Sequence, residues 1–313
     1  MADVAGTQAL QRDALGEAKP AAVRSWNPSD GRIAFLFTLP TMALLVFIGV
    51  FPLIWSLYLS FTDYKFTVAK SPEWIGIANF QAVSGNVTVW NTFVFTAKFV
   101  LLAVSVEFLL GFGIAFLLNR SFPGRGLITT IMLLPMMLSP ALAASFWKLL
   151  YSPNRGGVDY YLKAIGIPIT DPLATATSTL IALAVVDIWQ WTPFMLLISL
   201  AGLSAVPRYL YEAAEVDQAS GWFRFTNITF PLVWPLLLIA LIFRTMDAIR
   251  VFEYPAIITA DREATQTIAT FLYRLAFRQG ETGFSTAFAY MILVMIIAMS
   301  NIYVRNLNKA TGK

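Results

Sequence analysis

The chain has 313 residues, 58% hydrophobic and only 13% charged, with no Cys and no His. A water-soluble domain carries about a quarter charged residues, so this composition excludes one and suits a chain whose solvent is mostly lipid. The missing Cys and His exclude disulfide frameworks, zinc or haem sites built on them, and Ser-His or Cys-His catalysis, while the net charge of +4 is scattered over tail and loops rather than gathered into the stripe that nucleic acid requires.

Residues 1–32 are polar, Ala-rich and charged in both signs. They lack the apolar core and cleavage site of a signal peptide and read as a disordered cytoplasmic tail. Residues 33–59 carry no charge, with Pro40, Gly49 and Pro52 as their breakers. A hydrocarbon core of about 30 Å takes roughly 20 apolar residues in a helix, so this stretch predicts a span. Residues 60–91 read as an external loop. Further apolar runs over 92–118, 127–150, 180–203, 231–251 and 285–304 bring the spans to six, and residues 305–313 form a second short tail. The fold class is therefore an all-α polytopic membrane protein with both termini on one side. Lys and Arg favour the cytoplasm. Arg12, Lys19, Arg24, Arg32, Arg120, Arg125, Arg208, Arg224, Arg305, Lys309 and Lys313 lie on the terminal side, 11 against the 7 opposite: Lys65, Lys70, Arg155, Lys163, Arg262, Arg274 and Arg278. Both termini are expected in the cytoplasm. The aromatics of the outer loops, Trp74, Trp90, Tyr151, Tyr160 and Tyr161, read as interfacial anchors.

Between the fourth and fifth spans, residues 207–235 predict two short helices. Pro207 suits a first helical turn, Glu212, Ala213 and Ala214 are good helix formers, and Ser220 caps a second helix opened by Gly221 and Trp222. The alanine face lets another surface approach the backbone closely. This stretch resembles the cytoplasmic EAA loop of permease subunits in ATP-binding-cassette importers, above all the maltose-like carbohydrate family: Glu212, Ala213, Ala214, Asp217, Ala219, Phe225, Ile228, Pro231 and Pro235 fall on its pattern. Trp191-Thr-Pro-Phe194, Ala201-Gly-Leu203, Pro207 and Tyr211 upstream also look like that family. Gln218 stands where the family has Gly, so it must either take an ordinary backbone conformation or be strained.

The resemblance implies the six-helix permease fold of type I importers and docking of the loop, through Glu212, Ala213, Ala214, Asp217, Gln218, Ala219 and Gly221, into a separate ATPase. It implies as partners a second homologous permease subunit, two ATPase subunits and an external or periplasmic solute-binding protein, in the inner membrane of a bacterium. No phosphate-binding Gly-x-x-x-x-Gly-Lys-Ser/Thr occurs in the chain, so no cofactor is expected here, and ATP and Mg are expected on the ATPase subunits. The chain itself is expected to be a transport subunit rather than an enzyme.

Charges inside the spans cost about 2.5–3.5 kcal/mol at the bilayer centre and therefore face a partner, a cavity or the interface. Lys98 and Lys148 lie near span ends and snorkel. Arg244, Asp247, Arg250 and Glu253 recur every three residues with alternating sign. Helix neighbours three apart pair, giving either a self-neutralising ladder or a polar wall of the solute path. Trp189, Gln190 and Trp191 offer stacking faces and hydrogen bonds to the same path, or else helix packing, and Asp187 opens that stretch. Glu107 has no partner visible in the sequence. The competing reading is an ion-coupled secondary transporter, which needs internal repeats or midplane ion ligands. An intramembrane enzyme would need carboxylate or Ser-Lys chemistry.

Overall fold

The computed structural model describes residues 28–68, 71–153, 156–166, 171–260 and 262–311, with side chains from 31 to 307. The expected tail up to residue 27, Lys70, Arg155, Lys313 and the side chain of Lys309 lie outside these. Two compact units divide the chain, the first ending at Ser56 and the second beginning at Leu57.

The described part of the first unit is helix α1 (Pro28–Ser60) as far as Ser56, and its residues from Leu57 on belong to the second unit. The tail expected through residue 32 thus gives way to helix at Pro28, a residue whose absent N–H costs nothing in a first turn. The external connection is not all loop. Asn79, at the start of α2 (Ala78–Gly85), is buried and donates to Ser60 O at 2.9 Å and Thr62 O at 2.8 Å. Asn86 accepts from Thr88 N and Val89 N and so starts α3 (Val87–Leu118) five residues before the apolar run that predicted it.

The run over 127–150 is sharply bent. It does not form one straight helix but α4 (Arg125–Leu133), a 3-10 turn (Leu134–Met137) and α5 (Pro140–Leu150), and the two arms meet at 93°. Pro135 and Pro140 remove two helical donors. The residue before a proline is pushed to extended backbone, and Ser139 (ψ 144°) obeys, then caps α5 by accepting from Leu142 N. Counting the bent pair as one, the described residues hold six helices or pairs long and apolar enough to span.

Helix α6 (Gly157–Ala164) lies in the next connection, and α7 (Ala176–Ala205) opens with a Thr175–Ser178 capping box and runs unbroken through Pro193. Then come α8 (Arg208–Val216), a single turn α9 (Gly221–Arg224), a π turn (Phe225–Thr229), α10 (Phe230–Ile249), α11 (Glu253–Ile258), α12 (Ile268–Tyr273) and α13 (Thr282–Thr311).

Lipid tails are as apolar as Leu, so helices in a bilayer associate by close packing, and small residues at the contact permit it. Gly111 lets α3 meet α7 at Met195 and Leu196, and Gly202 lets α7 meet α10 at Val233. Phe99, Ala103 and Val104 of α3 with Leu183 and Val186 of α7 fill one buried cluster, and Ala115, Leu196, Leu203, Val233 and Leu237 another. Tyr151 departs from the expectation of an interfacial anchor. It is buried in the first of these clusters and donates from its hydroxyl to Ala182 O at 2.9 Å, because the 93° bend directs the end of α5 against α7, so it is no interfacial anchor.

Candidate functional site

Two sites emerge, one in the 207–235 loop and one inside the bundle. In the loop, α8 ends in a Schellman turn: Ala219 N donates to Ala214 O at 2.8 Å and Gln218 N to Glu215 O at 3.1 Å. That turn needs its C′ residue left-handed, and Gln218 has φ 53°. Of the two conformations open to it, Gln218 takes the strained one. A left-handed residue other than Gly costs about 1–2 kcal/mol, so Gln218→Gly is expected to raise the stability of the purified chain by about 1 kcal/mol. A thermal melt in detergent checks this, and a lower midpoint would contradict it. Ser220 accepts from Phe223 N and caps α9, whereas Pro207 sits one place before the first helical residue rather than in the first turn. Tyr211 and Thr229 share a hydroxyl bond of 2.8 Å that pins α8 to the π turn. Glu212, Ala213, Asp217 and Gln218 are exposed, Ala214 is buried and Ala219 half-buried. Leu210, Ala213, Ala214, Asp217, Ala219 and Phe223 border a groove of about 520 Å³.

Inside the bundle, Arg244 of α10 is the hub of a charged cluster. Its Nε donates to Glu107 Oε2 at 2.7 Å and its Nη2 to Glu107 Oε1 at 3.1 Å, a bidentate pair with α3. Nη2 also reaches Asp187 Oδ2 of α7, and Nη1 reaches Asp247 Oδ2 at 3.2 Å. The side chains of Arg244, Glu107 and Asp187 are at most 1% exposed, against 51% for Asp247. The guanidinium also lies over the Trp191 ring, 5.1 Å from its centre. A polar chain continues from there: Trp191 Nε1 donates to Tyr254 Oη at 3.2 Å, Tyr254 Oη to Gln190 Oε1 at 2.8 Å, and Gln190 Nε2 to Leu138 O at 2.8 Å. The last bond satisfies a backbone carbonyl at the break between α4 and α5. Asp187, Trp191, Arg244, Asp247, Arg250 and Glu253 border a hollow of about 130 Å³. A larger one of about 480 Å³ shares Trp191, Arg244, Asp247 and Arg250 and adds Phe194 and Phe243.

Residues 107–313, which hold both sites, match the family described as the binding-protein-dependent transport system inner membrane component. The chain belongs to this family of permeases. Among its relatives, the trehalose/maltose transport system permease protein MalF of Thermococcus litoralis is 31% identical over 278 residues, covering 88% of this permease and 94% of that protein. A probable ABC transporter permease protein of Sinorhizobium fredii is 34% identical over 268 residues, covering 84% and 86%. The fold matches the crystal structure of a bacterial ABC transporter involved in the import of the acidic polysaccharide alginate, with a TM-score of 0.79 at 22% identity over 90% of this permease and 96% of that chain.

The permease brings Trp191, Arg244, Asp247, Arg250 and Glu253 to one cavity wall. It does not bring Trp189 there. That indole packs edge-on against Trp147 at 5.8 Å. Gln190 is buried with both ends of its amide taken. The charged ladder expected over 244–253 stops after its first pair. Helix α10 ends at Ile249, Arg250 turns back to Met246 O at 3.2 Å, and Glu253 opens α11. Among the described residues neither Arg250 nor Glu253 makes an ion pair. Sequence reasoning left Glu107 without a partner and passed over Tyr254. The available signal was charge balance: a lone acid in each of two spans calls for a cation in a third.

Proposed function

We propose that this permease forms half of the translocation pathway of an ATP-driven importer for a carbohydrate or a related polyol or glycoside, in a bacterial inner membrane with both termini cytoplasmic. It works with a second homologous permease chain, two ATPase subunits that carry ATP and Mg, and an external solute-binding protein. The loop of α8 and α9 is the handle. Glu212 and Asp217 supply exposed charge, the small side chains Ala213 and Ala219 admit a partner's surface, and the Tyr211–Thr229 bond makes the loop move as a body with α10. Closure of the ATPase subunits then rocks the spans from inward-open to outward-open. The carbohydrate class draws support from the relative named for trehalose and maltose and from the lining of the larger hollow, where Trp191, Phe194 and Phe243 offer ring faces beside Asp247 and Arg250. Gly221, at the start of α9, meets no atom within 4 Å of an added Cβ and leaves the loop's outer edge open to the ATPase.

The single observation that carries this reading is the exposed acid-bearing helix with its small-residue groove, in a chain of this family. The test is co-expression with the cognate ATPase. Glu212→Ala together with Asp217→Lys is expected to weaken ATPase recovery by at least about tenfold, with the permease still monodisperse. A folded wild-type chain that retains no ATPase would sink the proposal in favour of an ion-coupled transporter.

A further inference from the structure

A third hollow, of about 360 Å³, lies where the end of α3 meets the π turn, away from the charged cluster and outside the groove of the coupling loop. Arg120 and Arg224 both border it, with Asn119, Tyr211 and Thr229 as its other polar residues, and no acid lines it. Among the described residues neither arginine has an ionic partner. Two positive charges on one cavity, uncompensated by the chain, point to an anion from outside it.

The position selects the kind of anion. Arg120 follows the last residues of a 32-residue apolar helix by two places, which sets it at headgroup depth. Phe116 and Leu117 of the last turn of α3 are exposed, and Phe116 both borders the hollow and packs edge-on against Phe225 at 5.8 Å. Trp222, exposed and 5.8 Å from Phe225, adds the kind of aromatic that gathers at the interface. An apolar helix face thus leads directly into a basic hollow. Both connections lie on the side read as cytoplasmic, whose leaflet carries the anionic lipids.

We propose that this hollow binds the phosphate headgroup of an anionic phospholipid, with Arg120 and Arg224 pairing to the phosphate oxygens and the acyl chains running along the end of α3. Because Arg224 and Tyr211 belong to the loop proposed to couple to the ATPase, the lipid also clamps the base of that loop to α3.

The test uses the full chain in mixed micelles with equimolar phosphatidylglycerol and phosphatidylcholine, reading retained lipid by native mass spectrometry. The expected result is enrichment of phosphatidylglycerol by on the order of tenfold in the wild type. Arg120→Gln with Arg224→Gln brings it to parity, and Arg120→Lys with Arg224→Lys keeps most of it. Arg125→Gln, in the same connection but outside the hollow, keeps all of it. Each variant is first checked for a monodisperse peak. Parity in the wild type overturns the site, as does equal loss in Arg125→Gln, which means diffuse attraction. Displacement of the lipid by millimolar inorganic phosphate assigns the hollow to a free anion instead. If the double Gln variant keeps its lipid but loses the ATPase, the arginines face that protein, and the lipid proposal also fails.

Discussion

Arg244→Met is expected to lower the stability of the purified chain by about 3–5 kcal/mol, because it leaves two buried carboxylates facing each other with no cation. In a melt this amounts to a fall on the order of 10 °C. The size follows from burial. Glu107, Asp187 and Arg244 are shut off from solvent, so nothing screens the orphaned charges. Arg244→Lys should recover little, since one ammonium cannot reproduce the fork that holds Glu107 by two bonds and Asp187 by a third. Replacing the buried members together by apolar residues, Glu107→Met and Asp187→Leu added to Arg244→Met, should restore much of the loss, because a buried ion cluster exchanged for apolar side chains of similar volume is often nearly neutral. Asp247→Ala should cost at most about 1 kcal/mol, since that carboxylate is half exposed. Size-exclusion recovery after heating reads all four. An Arg244→Met melt within a degree or two of wild type would show the cluster to be energetically idle.

What makes that cluster strong also hid it. Arg244 lies 137 residues from Glu107 and 57 from Asp187, and no periodicity links positions in different spans. The pair that was legible, Arg244 with Asp247, is the weak and half-exposed one, because spacing within one helix is all that a single sequence displays. The helices were legible for a related reason. Long, predominantly apolar runs of the right length mark a span whatever packs against it. The bend in the third run was legible in principle, through Pro135 and the Ser139-Pro140 pair, but hydropathy weighs apolar content and ignores missing donors. The local structure of the 207–235 loop was the most legible because its signals are local: a Ser cap, helix formers and a register of small residues. Even there, only the backbone decided that Gln218 is left-handed. Tyr151 was misread because aromatics near span ends look alike until a bond such as that to Ala182 O distinguishes a buried one.

The second large effect should come from a change that adds only carbon. A Cβ on Gly111 would lie 2.5 Å from Met195 Cβ and 2.9 Å from Leu196 N. The second of these is backbone, so no rotamer relieves it and α3 must move away from α7. Gly111→Ala is expected to cost about 1–3 kcal/mol, and Gly111→Val more. Gly113, two residues on, is the internal control. Its Cβ would meet nothing within 4 Å, so Gly113→Ala should be neutral or gain up to about 1 kcal/mol from helix propensity. Equal melts for the two Ala variants would refute close packing at Gly111. The contact also bears on the charged cluster, because Glu107 stands one turn before Gly111 on α3 and Asp187 two turns before Met195 on α7. Forcing the helices apart there pulls both carboxylates away from the single guanidinium that bridges them. Gly111→Ala and Arg244→Met should therefore be non-additive, the double variant losing less than the two single losses summed. Strict additivity would mean that the steric contact and the ion cluster hold α3 to α7 independently.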